Sequence, residues 1–137
     1  MSPDPVGGES ILIVDDNEAN LKLARVLLQS AGYVVRTADS AEQAVQALAS
    51  FRPRLILMDI QLPGTDGLVL SRRLKDDPAT RDIVILALTA YAMQGDEERV
   101  RKAGCDGYIP KPIDTRALAE TVARHLQPSI RASGEKP

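Results

Sequence analysis

The sequence predicts an α/β fold in which helices cover both faces of one parallel sheet, and three observations carry that prediction. Short unbroken apolar runs recur along the chain, segments with helical apolar spacing separate them, and the apolar residues are almost all aliphatic. Phe51, Tyr33, Tyr91 and Tyr108 are the only aromatic residues. Val, Leu, Ile and Ala must therefore fill the core, which is the composition of a parallel sheet buried on both faces. A chain of 137 residues with 44% apolar content can build one core and one domain, not two.

Residues 1–8 combine Pro, Gly and charge without an apolar period and read as a flexible tail, so the domain is expected over 9–127. Ile11-Leu12-Ile13-Val14 is too short for a helix and reads as the first strand. Leu21, Leu23, Ala24, Leu27 and Leu28 recur at helical spacing, and Gly32 after Ala31 is a helix C-terminal signal. Tyr33 to Ala38 alternates and suits an edge strand. Ser40 with Gln43 forms a capping box for a helix that turns Ala41, Ala44, Val45 and Leu48 inward. Leu55 to Met58 is the third strand, and Asp66-Gly67 is a turn into a helix using Leu68, Leu70 and Leu74. Ile83 to Leu88 is the fourth strand, followed by a helix with a solvated basic strip, Arg99, Arg101 and Lys102. Gly107-Tyr108-Ile109 is the fifth, and Asp114 or Thr115 caps a last helix using Leu118, Val122 and Leu126. All of these runs except Tyr33 to Ala38 are expected to be buried on both faces. Residues 128–137 read as a second flexible tail.

Strand and helix thus alternate five times. Right-handed crossovers fold such a chain into a doubly wound (βα)5 sandwich, with the flavodoxin-like strand order 2-1-3-4-5.

Seventeen basic against nineteen acidic residues give a net charge of -2, which offers no footprint for clamping nucleic acid. Cys105 is the only cysteine and has no Cys or His at metal spacing, which suits a reducing compartment and implies no zinc site. No apolar run approaches about 18 residues and the start does not resemble a signal peptide, so a cytoplasmic location without membrane insertion is expected.

Ligands of doubly wound sheets bind beyond the carboxyl ends of the strands. The residues there are Asp15-Asp16, Asp59, Thr89 and Lys111, each after a stretch nearly free of polar groups. Carboxylates brought together repel unless a proton or cation relieves them. Mg2+ prefers oxygen ligands and retains waters, which fits Asp16 and Asp59 as direct ligands and Asp15 through water. Lys111 and Thr89 would complete a cradle for a tetrahedral dianion. Phosphoryl transfer needs positioning and charge neutralisation above all, and Asp59, ending the strand expected in mid-sheet, is the nucleophile.

Taken singly, each residue has a plainer reading. Asp15-Asp16 could cap a helix, Asp59 could end a strand, Thr89 could cap the next helix, Lys111 could be a solvated charge and Tyr108 could fill the core. Their combination overrides these readings at the strand ends, while core filling by Tyr108 can coexist with a further role. Asp66-Gly67 and His125 are left outside the site, and Cys105 reads as a small buried residue.

The stretches Ile11-Leu-Ile-Val-Asp-Asp-Asn17, Leu57-Met-Asp-Ile-Gln-Leu-Pro-Gly-Thr-Asp-Gly67, Ala87-Leu-Thr-Ala90 and Ala103-Gly-Cys-Asp-Gly-Tyr-Ile-Pro-Lys-Pro112 resemble response-regulator receiver domains of the CheY-like superfamily. The resemblance covers roughly residues 10 to 127, in motif order. The stretch from Leu88 to Ile113 resembles stand-alone cell-cycle receivers of the DivK type and the receivers of hybrid kinases.

The resemblance implies that Asp59 accepts a phosphoryl group from a sensor histidine kinase or histidine phosphotransfer protein. Asp15, Asp16 and Asp59 then hold Mg2+ with the Gln61 carbonyl, and Lys111 contacts the phosphoryl oxygens. It implies that Thr89 and Tyr108 are the switch pair, signalling to a downstream protein target through the α4-β5-α5 face. Gln61 and Tyr91 would tune the lifetime of the phosphorylated state, and Pro112 is expected to be cis. Such a protein turns over no substrate beyond its own phosphorylation and dephosphorylation. About ten residues follow the last helix, and even marginal domains need roughly 40, so output by protein contact is expected. Met1 and the short tails suit a complete chain, with a receiver piece of a larger hybrid kinase or multidomain regulator as the alternative.

Two rivals share parts of the pattern. A magnesium-dependent aspartyl-phosphate phosphatase of the haloacid-dehalogenase type carries a second Asp two residues after the nucleophile, where this chain has Gln61. A flavodoxin-like electron carrier needs a Ser/Thr-rich phosphate loop after the first strand, where this chain has Asp15-Asp16-Asn17.

Overall fold

Five short segments pair in parallel in the computed structural model, which describes residues 9–62, 65–90 and 95–126. They are β1 (Ser10–Val14), β2 (Val34–Ala38), β3 (Leu55–Asp59), β4 (Val84–Thr89) and β5 (Gly107–Pro110). The sheet order is β2-β1-β3-β4-β5, the 2-1-3-4-5 order expected. Between the strands run α1 (Glu18–Ser30), α2 (Ala41–Leu48), α3 (Gly67–Asp76), α4 (Asp96–Lys102) and, after β5, α5 (Leu118–His125). A short antiparallel ladder, Gln61–Leu62 against Thr65–Asp66, bridges β3 and α3 and was not foreseen. The expected tails, 1–8 and 128–137, and Tyr91 lie outside the described residues.

Side-chain alternation along each strand divides the core in two. Ile11, Ile13, Leu55, Leu57, Leu86 and Leu88 face α1 and α5, against Ala24, Leu28, Leu118 and Val122. Leu12, Val14, Ile56, Met58 and Ile85 face α2 and α3, against Ala44, Leu70 and Leu74. Each large aliphatic side chain so buried contributes about 1.5–3 kcal/mol, and the runs Ile11–Val14, Leu55–Met58 and Val84–Leu88 hold no polar residue. A separate small cluster of Ile60, Leu68, Ala87, Val100 and Ala103 seats α4.

Helix ends follow local chemistry. Asn17 Oδ1 accepts from Asn20 N–H at 2.9 Å, Ser40 Oγ from Gln43 N–H at 3.1 Å, and Asp66 Oδ1 from Leu68 N–H at 2.8 Å. Gly32 takes φ 101° just past α1, as its position there suggests.

Four expectations need correction. Val45 is 47% exposed, because α2 is short and turns Ala44, rather than its β-branched neighbour, to the sheet. Gly107 and Tyr108 of β5 are not buried, since β5 is the outer strand and only Ile109 turns into the core. Asp114 accepts from Arg116 N–H in a turn ahead of α5, whose own N-cap, Ala117, makes no side-chain cap. Cys105 is half-buried, between the α3 side of the sheet and the α4 cluster.

Candidate functional site

Parallel pairing brings the ends of β1, β3 and β4 to one edge of the sheet. Val14 registers with Met58, Asp59 with Leu88, and Thr89 with Pro110, so the polar residues that follow these strands emerge side by side. Asp15 leaves β1 with its N–H on the Ala38 carbonyl at 3.1 Å and its side chain buried. Its Oδ1 accepts from Asn17 N–H at 2.9 Å, while its Oδ2 accepts no hydrogen bond. Asp16, next to it, is exposed.

Asp59 ends the central strand and is 2% exposed. Its Oδ1 accepts from Gln61 N–H and its Oδ2 from Lys111 Nζ, both at 2.9 Å. Lys111 Nζ also lies 3.5 Å from Asp15 Oδ2. The lysine arrives at the end of β5, where its N–H bonds the Thr89 carbonyl at 2.8 Å and its bond to Pro112 is cis, as expected. Thr89, 1% exposed, closes β4 beside them. One oxygen each from Asp15, Asp16 and Asp59 lies within 4.8 Å of the others.

Burial pushes the Asp59 carboxyl above the usual carboxylate range. The Gln61 N–H and the Lys111 ammonium oppose that rise, and the charge of Asp15 adds to it. The donor set consists of hard carboxylate oxygens, and the orphaned Asp15 Oδ2 is a buried lone pair of the kind a cation satisfies. These residues fit a hard divalent cation.

Two residues left out of the site by sequence reasoning prove to shape it. Gly67 packs against the backbone of the nucleophile candidate: a Cβ there would overlap the Asp59 carbonyl oxygen and lie 2.8 Å from Ile60 Cα. Asp66 caps α3 and places Oδ2 3.5 Å from Arg99 on α4. The pairing of Asp66 with Gly67 immediately before an apolar helical period was the available signal.

Residues 11–123 match the family described as the response regulator receiver domain. The chain belongs to that family. Among curated relatives, the receiver domain is 48% identical over 119 residues to the polar-differentiation response regulator DivK of Brucella anthropi, an alignment taking in 86% of this chain and 96% of that one. Among solved structures, it matches a CheY-like response regulator receiver domain protein from Methanospirillum hungatei with a TM-score of 0.81 and 29% identity, over 90% of this chain and 97% of that one. It also matches the receiver domain of a Pseudomonas aeruginosa sensor histidine kinase, solved with a magnesium ion coordinated in the active site cleft, with a TM-score of 0.79 and 36% identity, over 87% of this chain and 98% of that one.

The remaining expected site residues of this receiver domain fall nearby or on its outer strand. Gln61 is exposed and touches Asp59 through its backbone N–H. Tyr108 is 36% exposed on β5, against its default reading as core filling. Arg101 and Lys102 pair with Glu97 and Glu98 at 3.6 Å along α4, so the basic strip is largely neutralised. His125 packs toward β5, where a Cβ on Gly107 would meet its Nε2 at 2.9 Å.

Proposed function

We propose that Asp59 is the phosphoryl acceptor of this response regulator, with a sensor histidine kinase or a histidine phosphotransfer protein as donor. The observation that carries the reading is the single buried carboxylate at the end of the central strand, held by Lys111 at 2.9 Å with two further carboxylates beside it. An Asp59 oxygen forms a bond to phosphorus as the bond from phosphorus to the donor nitrogen breaks. Asp15, Asp16 and Asp59, with the Gln61 carbonyl, are the residues to hold Mg2+, which when bound supplies positive charge beside the transferring oxygens. Lys111 supplies a further positive charge, and Thr89 a hydroxyl donor for the product.

The aspartyl phosphate adds nearly two negative charges and three acceptor oxygens at an edge already crowded with acids. Thr89 moves to bond it, Tyr108 leaves its exposed position on β5, and the α4-β5-α5 face presents a changed surface to a downstream protein target. The chemistry is confined to the chain's own phosphorylation and dephosphorylation. No helix among the described residues is long and apolar enough to cross a membrane.

Incubation with acetyl phosphate and magnesium followed by intact-mass measurement tests the reading. One added phosphoryl group is expected, and none on Asp59→Asn; equal uptake by that variant contradicts the assignment.

A further inference from the structure

We propose that the face between α2 and α3 is a self-association surface, on which two copies of this chain dock about a twofold axis with their α3 helices antiparallel.

That face carries an open groove of about 320 Å3, lined by Val45 and Leu48 from α2 and by Arg73 and the C-cap Asp77 of α3. Val45 is 47% exposed beside it, and Val69, one turn before Arg73 on the same stripe of α3, is 52% exposed. Large apolar side chains left in water on two adjoining helices are area that an interface would cover.

The charges decide the occupant. Along α3 the exposed Arg72 and Arg73 are followed one turn later by the exposed Asp76 and Asp77. On α4 opposite charges at the same spacing pair within the helix, Glu97 with Arg101 and Glu98 with Lys102, each at 3.6 Å. On α3 the base precedes the acid, the weaker orientation for such a pair. Asp77 has also left the helix, with its Oδ1 accepting from Ala79 N–H at 2.9 Å. Among the described residues Arg73 has no ion-pair partner. A helix that runs from base to acid is complementary to its own antiparallel copy. Arg73 of one copy faces Asp77 of the other, and the twofold axis makes the contact twice, as an isologous interface requires. A partner helix of one charge sign would set half of these groups against like charge. The apolar residues supply the area and the charges fix the register.

Sedimentation velocity of the full, unphosphorylated chain from micromolar to millimolar concentration tests this, with a thiol reductant present so that Cys105 cannot link chains. A monomer–dimer equilibrium that weakens as salt is raised is expected. Arg73→Glu and Asp77→Lys should each raise the dissociation constant about tenfold or more, because each creates two like-charge contacts. Mixed one to one, these two variants should form a heterodimer as tight as the wild-type dimer, since every contact is again between opposite charges. Val45→Asp should weaken the dimer as well, whereas Val26→Asp, on α1 and 49% exposed in the wild type, should not. Circular dichroism checks folding, and Asp76→Lys replaces Asp77→Lys should that variant fail to fold.

A chain that stays monomeric throughout overturns the proposal and leaves the groove to a different protein. A dimer indifferent to the charge reversals, or one that their mixture does not restore, places the contact elsewhere and overturns it too. Equal loss in Val26→Asp does the same, because the effect would then not belong to this face.

Discussion

At Asp59, burial and the neighbouring ammonium pull in opposite directions, and burial wins. The folded chain therefore holds the Asp59 proton more tightly than the unfolded chain does. A group of this kind stabilises the fold below the ordinary carboxylate pKa of about 4, and the stabilisation is lost as pH rises through the raised value. Asp59→Asn, which cannot ionise, is expected to unfold at higher denaturant than the wild type at about pH 7 in a chelator, with the gap closing toward pH 4. A lower midpoint at neutral pH contradicts this. Gly67 makes a sharper demand, because its missing side chain lets the acceptor backbone lie against α3. Gly67→Ala should cost about 1–3 kcal/mol in a denaturant titration. It should also slow phosphorylation by acetyl phosphate on the order of 100-fold, since the nucleophile is pushed out of line. At Cys105, burial raises the thiol pKa, with Asp106 adding to the rise and the Ser71 contact and Lys75 opposing it. Its reaction with a disulfide reagent at neutral pH should be slower in the folded protein than in denaturant, and an equal rate would contradict the assignment.

Among the elements, α4 rests on few apolar contacts among the described residues. Two residues, Val100 and Ala103, seat it, against Ile60, Leu68 and Ala87, and its N-cap Gly95 offers no side-chain cap. Ile60 directly follows Asp59, so the contact that anchors α4 is one residue from the acceptor. Arg99 reaches Asp66 across the same boundary, an exposed pair worth little energetically but able to fix orientation. Val100→Ala should cost about 1–3 kcal/mol and speed amide exchange in α4 well beyond that in α1 or α3. Uniform protection would show that α4 is held by something else. This element was also the least legible in the sequence: a seven-residue helix with two apolar contacts leaves almost no period to read. By contrast β1, β3 and β4 were legible because a strand buried on both faces admits only aliphatic residues, and α1 because Ala24 and Leu28 repeat at helical spacing. The exposure of β5 was missed because a run as short as Gly107-Tyr108-Ile109 looks the same at the centre of a sheet and at its edge.

For the molecule as a whole, the doubly wound order is what converts separated residues into a site. Asp15, Asp59, Thr89 and Lys111 could be named from the sequence because each ends or directly follows a strand, and strands in one parallel sheet end at one edge. What the strand-end rule could not supply was the support behind the acceptor, namely Gly67 against its backbone and the Gln61 N–H on its carboxylate, since those depend on how the loop between β3 and α3 folds back. The central claim is that phosphoryl transfer occurs at this edge and on one oxygen-bearing side chain. Borohydride reduction of the protein after incubation with acetyl phosphate and magnesium, followed by peptide mass mapping, tests it most directly, because an aspartyl phosphate is reduced to homoserine. Homoserine at position 59 is the predicted result. Homoserine at another aspartate, or a phosphorylated chain that yields none, would contradict the account.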